Sequence, residues 1–256
     1  MAAMRDFTVD LLSVKIYRTR AELGAAAAEA AAGKLRELLA QKERVAVIFA
    51  AAPSQNEFLD AFSAAPGLDW GRVTAFQMDE YLGLPEGAPQ SFGYYLRERL
   101  FEKVRPGCVH LLNGNAASPA EECRRYAQLL RNNPPDLVCL GIGENGHIAF
   151  NDPPVADFAD PEAVKVIELE ESCRRQQVND GCFPSLAQVP VKAMTLTVPT
   201  LVAAPWLYCM VPGATKREAV ERTLMGKISR DCPASILRTH QGAALFLDAA
   251  SAALLK

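Results

Sequence analysis

Three segments of this chain carry side chains suited to moving protons or capping a helix, and a fourth carries a cation suited to holding an anion. In MDEYLGLP (Met78–Pro85) the adjacent acids Asp79 and Glu80 follow directly on an apolar run. A carboxylate at such a strand end can act as a general base if a substrate proton comes within reach. A solvated acidic turn has the same composition, so the pair alone decides nothing. In LGIGENGHIAFNDPP (Leu140–Pro154), His147 stands behind a glycine-rich turn, with Glu144 and Asn145 before it and Asp152 after it. An imidazole held through one nitrogen by an amide or carboxylate can exchange a proton with substrate through the other. In PGATKREAV, Lys216 opens an amphipathic pattern. A lysine in a first helical turn opposes the helix dipole, but a phosphate there would meet both the ammonium and free amides. AAPSQNEF offers Ser54 as an N-cap with free amides behind it, which reads first as a simple helix start.

Gly141, Gly143 and Gly146 spell G-x-G-x-x-G, the pattern of a dinucleotide-binding turn. That function needs the last glycine to open a helix that receives the pyrophosphate. Here only HIAFND separates Gly146 from Pro153-Pro154, and proline inside a helix loses a donor and clashes with the preceding turn. The nicotinamide reading is rejected. The glycines, Gly143 among them, are expected instead to let backbone approach a ligand closely and to carry His147 to it.

The elements that must position these residues alternate between helix and strand. Helical patterns cover roughly 21–43, a segment from Ser54, the run from Ser91 as N-cap through QSFGYYLRERLFEKV, and PAEECRRYAQLLRN. Strands are expected at 45–51, 72–78, 108–112 and along DLVCLGIG, then at 165–170, 193–198, 206–211 and 243–248. Continuous apolar strands alternating with helices predict one α/β domain, Rossmann-like, with a mostly parallel sheet covered by helices on both faces. In such sheets ligands bind beyond the carboxyl ends of the strands. The loops after Ala51, Met78, Leu140 and Val211 are therefore expected to surround one crevice.

Composition excludes some partners. The 256 residues carry a net charge of −3, with 50% hydrophobic and 22% charged residues, so neither nucleic acid nor an anionic membrane is indicated. The N-terminal MAAMRDFTVDLL lacks a signal-peptide core, and the alanine-rich run 25–32 is interrupted by Glu29. The seven cysteines form no CxxC and no metal-ligand spacing, so reduced thiols, a cytoplasmic location and no metal are expected.

Together, FQMDEYLGLP, HLLNGNA, GIGENGHIAFNDP, QVPVKAMTLTV and PGATKREAV resemble the glucosamine-6-phosphate deaminase (isomerase) family, whose superfamily also holds 6-phosphogluconolactonases and sugar-phosphate-binding regulator domains. The similarity spans nearly the whole chain, and HIAFN is its most specific part. The resemblance implies a cofactor-free, metal-free aldose–ketose isomerisation with loss of ammonia, from glucosamine 6-phosphate to fructose 6-phosphate. It implies Asp79 as the base between C2 and C1, His147 as the ring-opening residue supported by Asn145 and Asp152, and Lys216 on the 6-phosphate. Ser54, Gly143, Glu144, Glu80 and Arg174 are the further candidates for substrate contact. The expected partner is a small-molecule sugar phosphate, and a homo-oligomer is admitted.

This chain departs from the family's pattern in four places. Asn145 and Asp152 stand where the family keeps aspartate and glutamate, and AAAPSQ replaces a glycine- and threonine-rich phosphate loop. The region of a phosphate-binding arginine reads ESCRRQQVNDGCF, with Arg174 and Arg175 as candidates, although an ungapped register from QVP puts Asp180 there. PPVADFADPEAV differs from the segment tied to allosteric activation, so no amino-sugar activator is expected. A lactonase using His147 as base, and a non-catalytic sugar-phosphate sensor, are the alternatives.

Overall fold

A computed structural model describes residues 2–255. Eleven strands and eight helices alternate along them. The strands are β1 (Arg5–Val9), β2 (Leu12–Tyr17), β3 (Val45–Phe49), β4 (Val73–Gln77), β5 (Asp79–Tyr81), β6 (Cys108–His110), β7 (Leu137–Leu140), β8 (Val164–Glu168), β9 (Lys192–Leu196), β10 (Trp206–Val211) and β11 (Ala243–Asp248). The helices are α1 (Arg20–Gln41), α2 (Asn56–Ser63), α3 (Phe92–Leu96), α4 (Glu102–Val104), α5 (Pro119–Asn132), α6 (Glu171–Asn179), α7 (Val198–Val202) and α8 (Arg217–Met225), with a π-helical turn joining α3 to α4. No helix among the described residues is long and apolar enough to cross a membrane, and all seven cysteines are free.

Eight strands form one sheet in the order β1-β2-β11-β10-β7-β3-β4-β6. Every neighbouring pair is parallel except β1–β2. The apolar runs explain this: β3 and β4 are buried along their whole length, as strands covered on both faces must be. Alternate residues of β3 feed two cores. Val45, Val47 and Phe49 pack with Leu23, Leu35, Phe58 and Phe62 of α1 and α2, while Ala46 and Ile48 pack with the buried faces of α5, α7 and α8. Thr19 caps α1, Ser91 caps α3 and Ser118 caps α5, each accepting from a backbone amide of the first turn.

The expected single sheet is joined by a second one. β5, β9 and β8 make a three-stranded antiparallel sheet. Over its last three residues β8 alternates in burial, with Val166 and Glu168 outside and Ile167 inside, the pattern of a sheet solvated on one face. The chain passes from the large sheet to the small one at Met78, whose carbonyl accepts from the Leu196 amide of β9 at 2.8 Å. The β1–β2 hairpin, β5, α6 and α7 are elements that the hydropathy pattern did not announce.

Tyr126 of α5 fixes the end of β4, just before that crossing. Its hydroxyl is fully buried, accepts from the Gln77 amide at 3.0 Å, and lies 2.8 Å and 3.0 Å from the carbonyls of Gln77 and His110. Replacing Tyr126→Phe strands these buried backbone groups, a loss of about 1–3 kcal/mol. Chemical denaturation should show a lowered midpoint of that size with an unchanged slope; an unchanged midpoint would contradict the assigned role.

Candidate active site

The crevice forms where the topology divides. β3 and β7 are neighbours, but the chain leaves β3 toward β4 and β6 and leaves β7 toward β10, so their loops part above the sheet. The resulting cleft is lined by Ala50, Ala51, Ala52 and Ser54 after β3, Met78 and Asp79 after β4, Gly141–Gly143 and His147 after β7, and Lys216 after β10. The four loops expected to converge do so. Phe92 of α3 and Gln176 and Gln177 of α6 complete the wall.

Asp79 is 7% exposed, and among the described residues no group donates a hydrogen bond to its carboxylate. Burial, with the neighbouring Glu80 charge adding to it, pushes its carboxyl well above the ordinary value of 3.8. Glu80, the next residue along an extended strand, points the other way. Its carboxylate accepts from the amides of Tyr81, Phe92 and Gly93 at 2.8–3.0 Å, which caps the start of α3. Burial raises its carboxyl too, but those amides and Gln77 hold the rise back. Glu80 does not line this cleft.

His147 is placed by three devices. A Cβ on Gly143 would lie 2.1–2.3 Å from imidazole atoms, so only glycine lets the ring lie against the turn. Gly146 adopts φ +91°, where a side chain would also strike Cys232. On the polar side, Nδ1 sits 2.8 Å from Asn145 Oδ1 and 2.9 Å from Asp152 Oδ1, and the Asn145 amide donates to that same carboxylate oxygen at 2.7 Å. Asp152 is fully buried; burial alone would raise its carboxyl, but His147, Asn145 and the Cys173 thiol together bring it below the ordinary value. No helix follows Gly146, as Pro153 requires.

Beyond His147 the loop is tied to β9. Ala149 takes the left-handed φ of +47°, a strained setting for a residue with a Cβ. The Phe150 amide donates to Thr195 Oγ1 at 3.1 Å, and the Asn151 side chain donates to the carbonyls of Ile148 and Leu196. Thr195 is also the register partner of Asp79.

Lys216 is 5% exposed, with no ion-pair partner within 4.0 Å among the described residues. Burial lowers its ammonium, and the more distant charges of Asp180 and Glu144 oppose that. Ser54 Oγ accepts from Gln55 at 3.2 Å. Glu144 donates its backbone amide to Gln176 and keeps a buried, unpartnered Oε1, but does not line the cleft. Arg174 is also turned away: its guanidinium donates to the carbonyls of Leu186 and Val189 at 2.7 and 2.9 Å. The i, i+3, i+4 spacing of Cys173, Gln176 and Gln177 puts these three on the inward face of α6, and that spacing was the available signal for the two glutamines.

An open α/β fold with a buried acid, an oriented imidazole and a buried ammonium around one crevice is that of an acid–base enzyme handling an anionic metabolite. The chain belongs to the family of glucosamine-6-phosphate isomerases and 6-phosphogluconolactonases, whose model matches residues 18–246. A glucosamine-6-phosphate deaminase of Bacillus cereus strain G9842 is 39% identical over 181 residues, covering 71% of this chain and 67% of its own. Its counterpart in Bacillus anthracis strain A0248 is 38% identical over the same span. The solved structure of a monomeric glucosamine-6-phosphate deaminase superposes with a TM-score of 0.86 at 32% identity, covering 94% of this chain and 99% of that one. A 6-phosphogluconolactonase from Thermotoga maritima shares the fold, with a TM-score of 0.75 at 20% identity over 93% and 99% of the two chains.

Because the folded state resists ionising Asp79, that carboxylate lowers stability at neutral pH. Below 3.8, the ordinary value, the acid is neutral in folded and unfolded chains alike. As pH rises through the raised folded value, the unfolded chain gains its ionisation first and the native state loses ground. Asp79→Asn, which does not titrate, should therefore melt higher than wild type at about pH 8 and nearly level with it at about pH 3. A melting difference that does not grow with pH would contradict the desolvated environment assigned to Asp79.

Proposed function

We propose that the chain converts glucosamine 6-phosphate to fructose 6-phosphate and ammonia. The observation that carries this reading is the convergence of Asp79 and His147 on one cleft in opposite settings, one carboxyl desolvated and unpartnered, one imidazole held through a single nitrogen. With Nδ1–H donating to Asp152 and Asn145, Nε2 keeps its lone pair for substrate. It takes the proton of the C1 hydroxyl and returns one to the ring oxygen, which opens the pyranose. Asp79, as carboxylate, then removes the C2 proton while the C1 oxygen gains one, giving an enolamine. The Asp79 acid delivers its proton to C1, water adds to the imine at C2, and ammonia leaves.

The buried ammonium of Lys216 and the polar groups of the Ser54 turn are suited to the phosphate end. Asp79 fits this task because a raised carboxyl is a stronger base once ionised, and burial keeps the abstracted proton from water. Hydrolysis of a lactone by His147 alone would make no use of Asp79, and a sensor would use neither.

Purified protein should release ammonia and fructose 6-phosphate in equal amounts. Asp79→Asn should cut the turnover number by about 10²–10⁴-fold, with little change in the KM that Lys216 and Ser54 govern. An Asp79→Asn variant that turns over at the wild-type rate would refute the proposal.

A further inference from the structure

One group of three metal-ligating side chains converges among the described residues, and the proton relay uses only two of them. The donor atoms of His147, Asp152 and Cys173 all lie within 4.8 Å of one another, and all three residues are buried. Cys173 reaches this point from the inward face of α6 and is 1% exposed. Asp152 Oδ1 is engaged by His147 and Asn145, whereas Oδ2 is buried without a hydrogen-bond partner. The Cys173 thiol stabilises the carboxylate charge but does not reach hydrogen-bond geometry with Oδ2.

We propose that His147, Asp152 and Cys173 form a binding site for one thiophilic divalent cation, of which zinc is the reference case, and that the bound ion takes the imidazole out of its proton-transfer form. The donor set selects the ion. One nitrogen, one carboxylate oxygen and one thiolate suit zinc or cobalt, while magnesium and calcium require shells of oxygen. Zinc–ligand bonds of about 2.0–2.3 Å set in a tetrahedron bring donors to roughly 3.5 Å apart. The three donors, all within 4.8 Å of one another with Nδ1 2.9 Å from Asp152 Oδ1, bracket that spacing. Oδ2 keeps a lone pair with no partner at hydrogen-bond geometry, and the His147 ring borders the cleft.

The proton balance gives the consequence. The thiol proton passes to solvent as the sulfur–metal bond forms. Nδ1 can bind the ion only through its lone pair, so the single imidazole proton resides on Nε2. One proton is released per ion bound, and the occupied site favours higher pH. With Nε2 carrying hydrogen, it cannot accept the proton of a sugar hydroxyl. The cation therefore opposes the acid–base step without entering it. This last consequence rests on the deaminase reading; the binding site does not.

The test is titration of the full chain, kept reduced, with cobalt(II) as spectroscopic probe. Wild type should take up one cobalt per chain with a thiolate-to-metal band in the near ultraviolet, which zinc abolishes. Cys173→Ser should lose the band, and Cys182→Ser, altering a cysteine outside the cluster, should keep it. Cys173→Ala, which removes the donor without adding a hydroxyl, repeats the loss if serine packs poorly. In the same preparations zinc should depress wild-type ammonia release more than tenfold at a concentration that leaves Cys173→Ser within twofold of its own zinc-free rate. No band in wild type, or a band that survives both Cys173 substitutions, overturns the site. Absence of deaminase turnover with the cobalt spectra as expected would sink the functional reading and leave the site standing.

Discussion

The pairing of the acid and the imidazole in the cleft depends on how β9 stitches two loops together. Its Leu196 amide holds the Met78 carbonyl where the chain leaves the large sheet, and the Leu196 carbonyl accepts from Asn151 in the histidine loop. Its Thr195 pairs in register with Asp79 and caps the Phe150 amide. Two loops distant in sequence are thereby fixed to one short strand, with backbone and side-chain hydrogen bonds that are buried from water. The strained Ala149 is tolerated because both following residues are held from β9.

On that frame the site sets two carboxylates to opposite tasks. Asp79 is desolvated and unpartnered, so its charge is costly and its basicity high. Asp152 is as buried, but the imidazole, an amide and a thiol surround it, so its charge is retained and serves to orient His147. Separating the environments of two like groups is how one fold runs proton transfers of opposite sense at one pH. Asn145 shares the task with Asp152: its oxygen faces Nδ1 and its amide nitrogen faces the carboxylate. An amide in this position thus bridges the pair instead of adding a second negative charge.

Much of this was legible in the sequence because it follows from strand ends. The apolar runs at 45–51, 72–78 and 206–211 located the loops, and the loops brought Ser54, Asp79, His147 and Lys216 to one crevice. Pro153 correctly denied a helix after Gly146. What was not legible turned on side-chain direction. Asp79 and Glu80 look equivalent in sequence, yet the pleat of β5 sends one to the cleft and the other to cap α3. Arg174 is a candidate by its place in the segment of the family's phosphate-binding arginine, while the helical spacing of α6 presents Gln176 and Gln177 to the cleft instead. The second sheet was hidden because β5 has three residues, too few for periodicity to register, and its pairing with β9 is non-local.

The central claim is that Asp79 and Asp152, buried around one imidazole-bearing cleft, are driven apart in acidity by their surroundings. Carbon-13 NMR of side-chain carboxyls in selectively labelled protein, assigned with Asp79→Asn and Asp152→Asn and followed across pH, measures this directly. The account predicts that Asp79 titrates well above 3.8 and Asp152 below it. Asp79 titrating at or below Asp152 would contradict it.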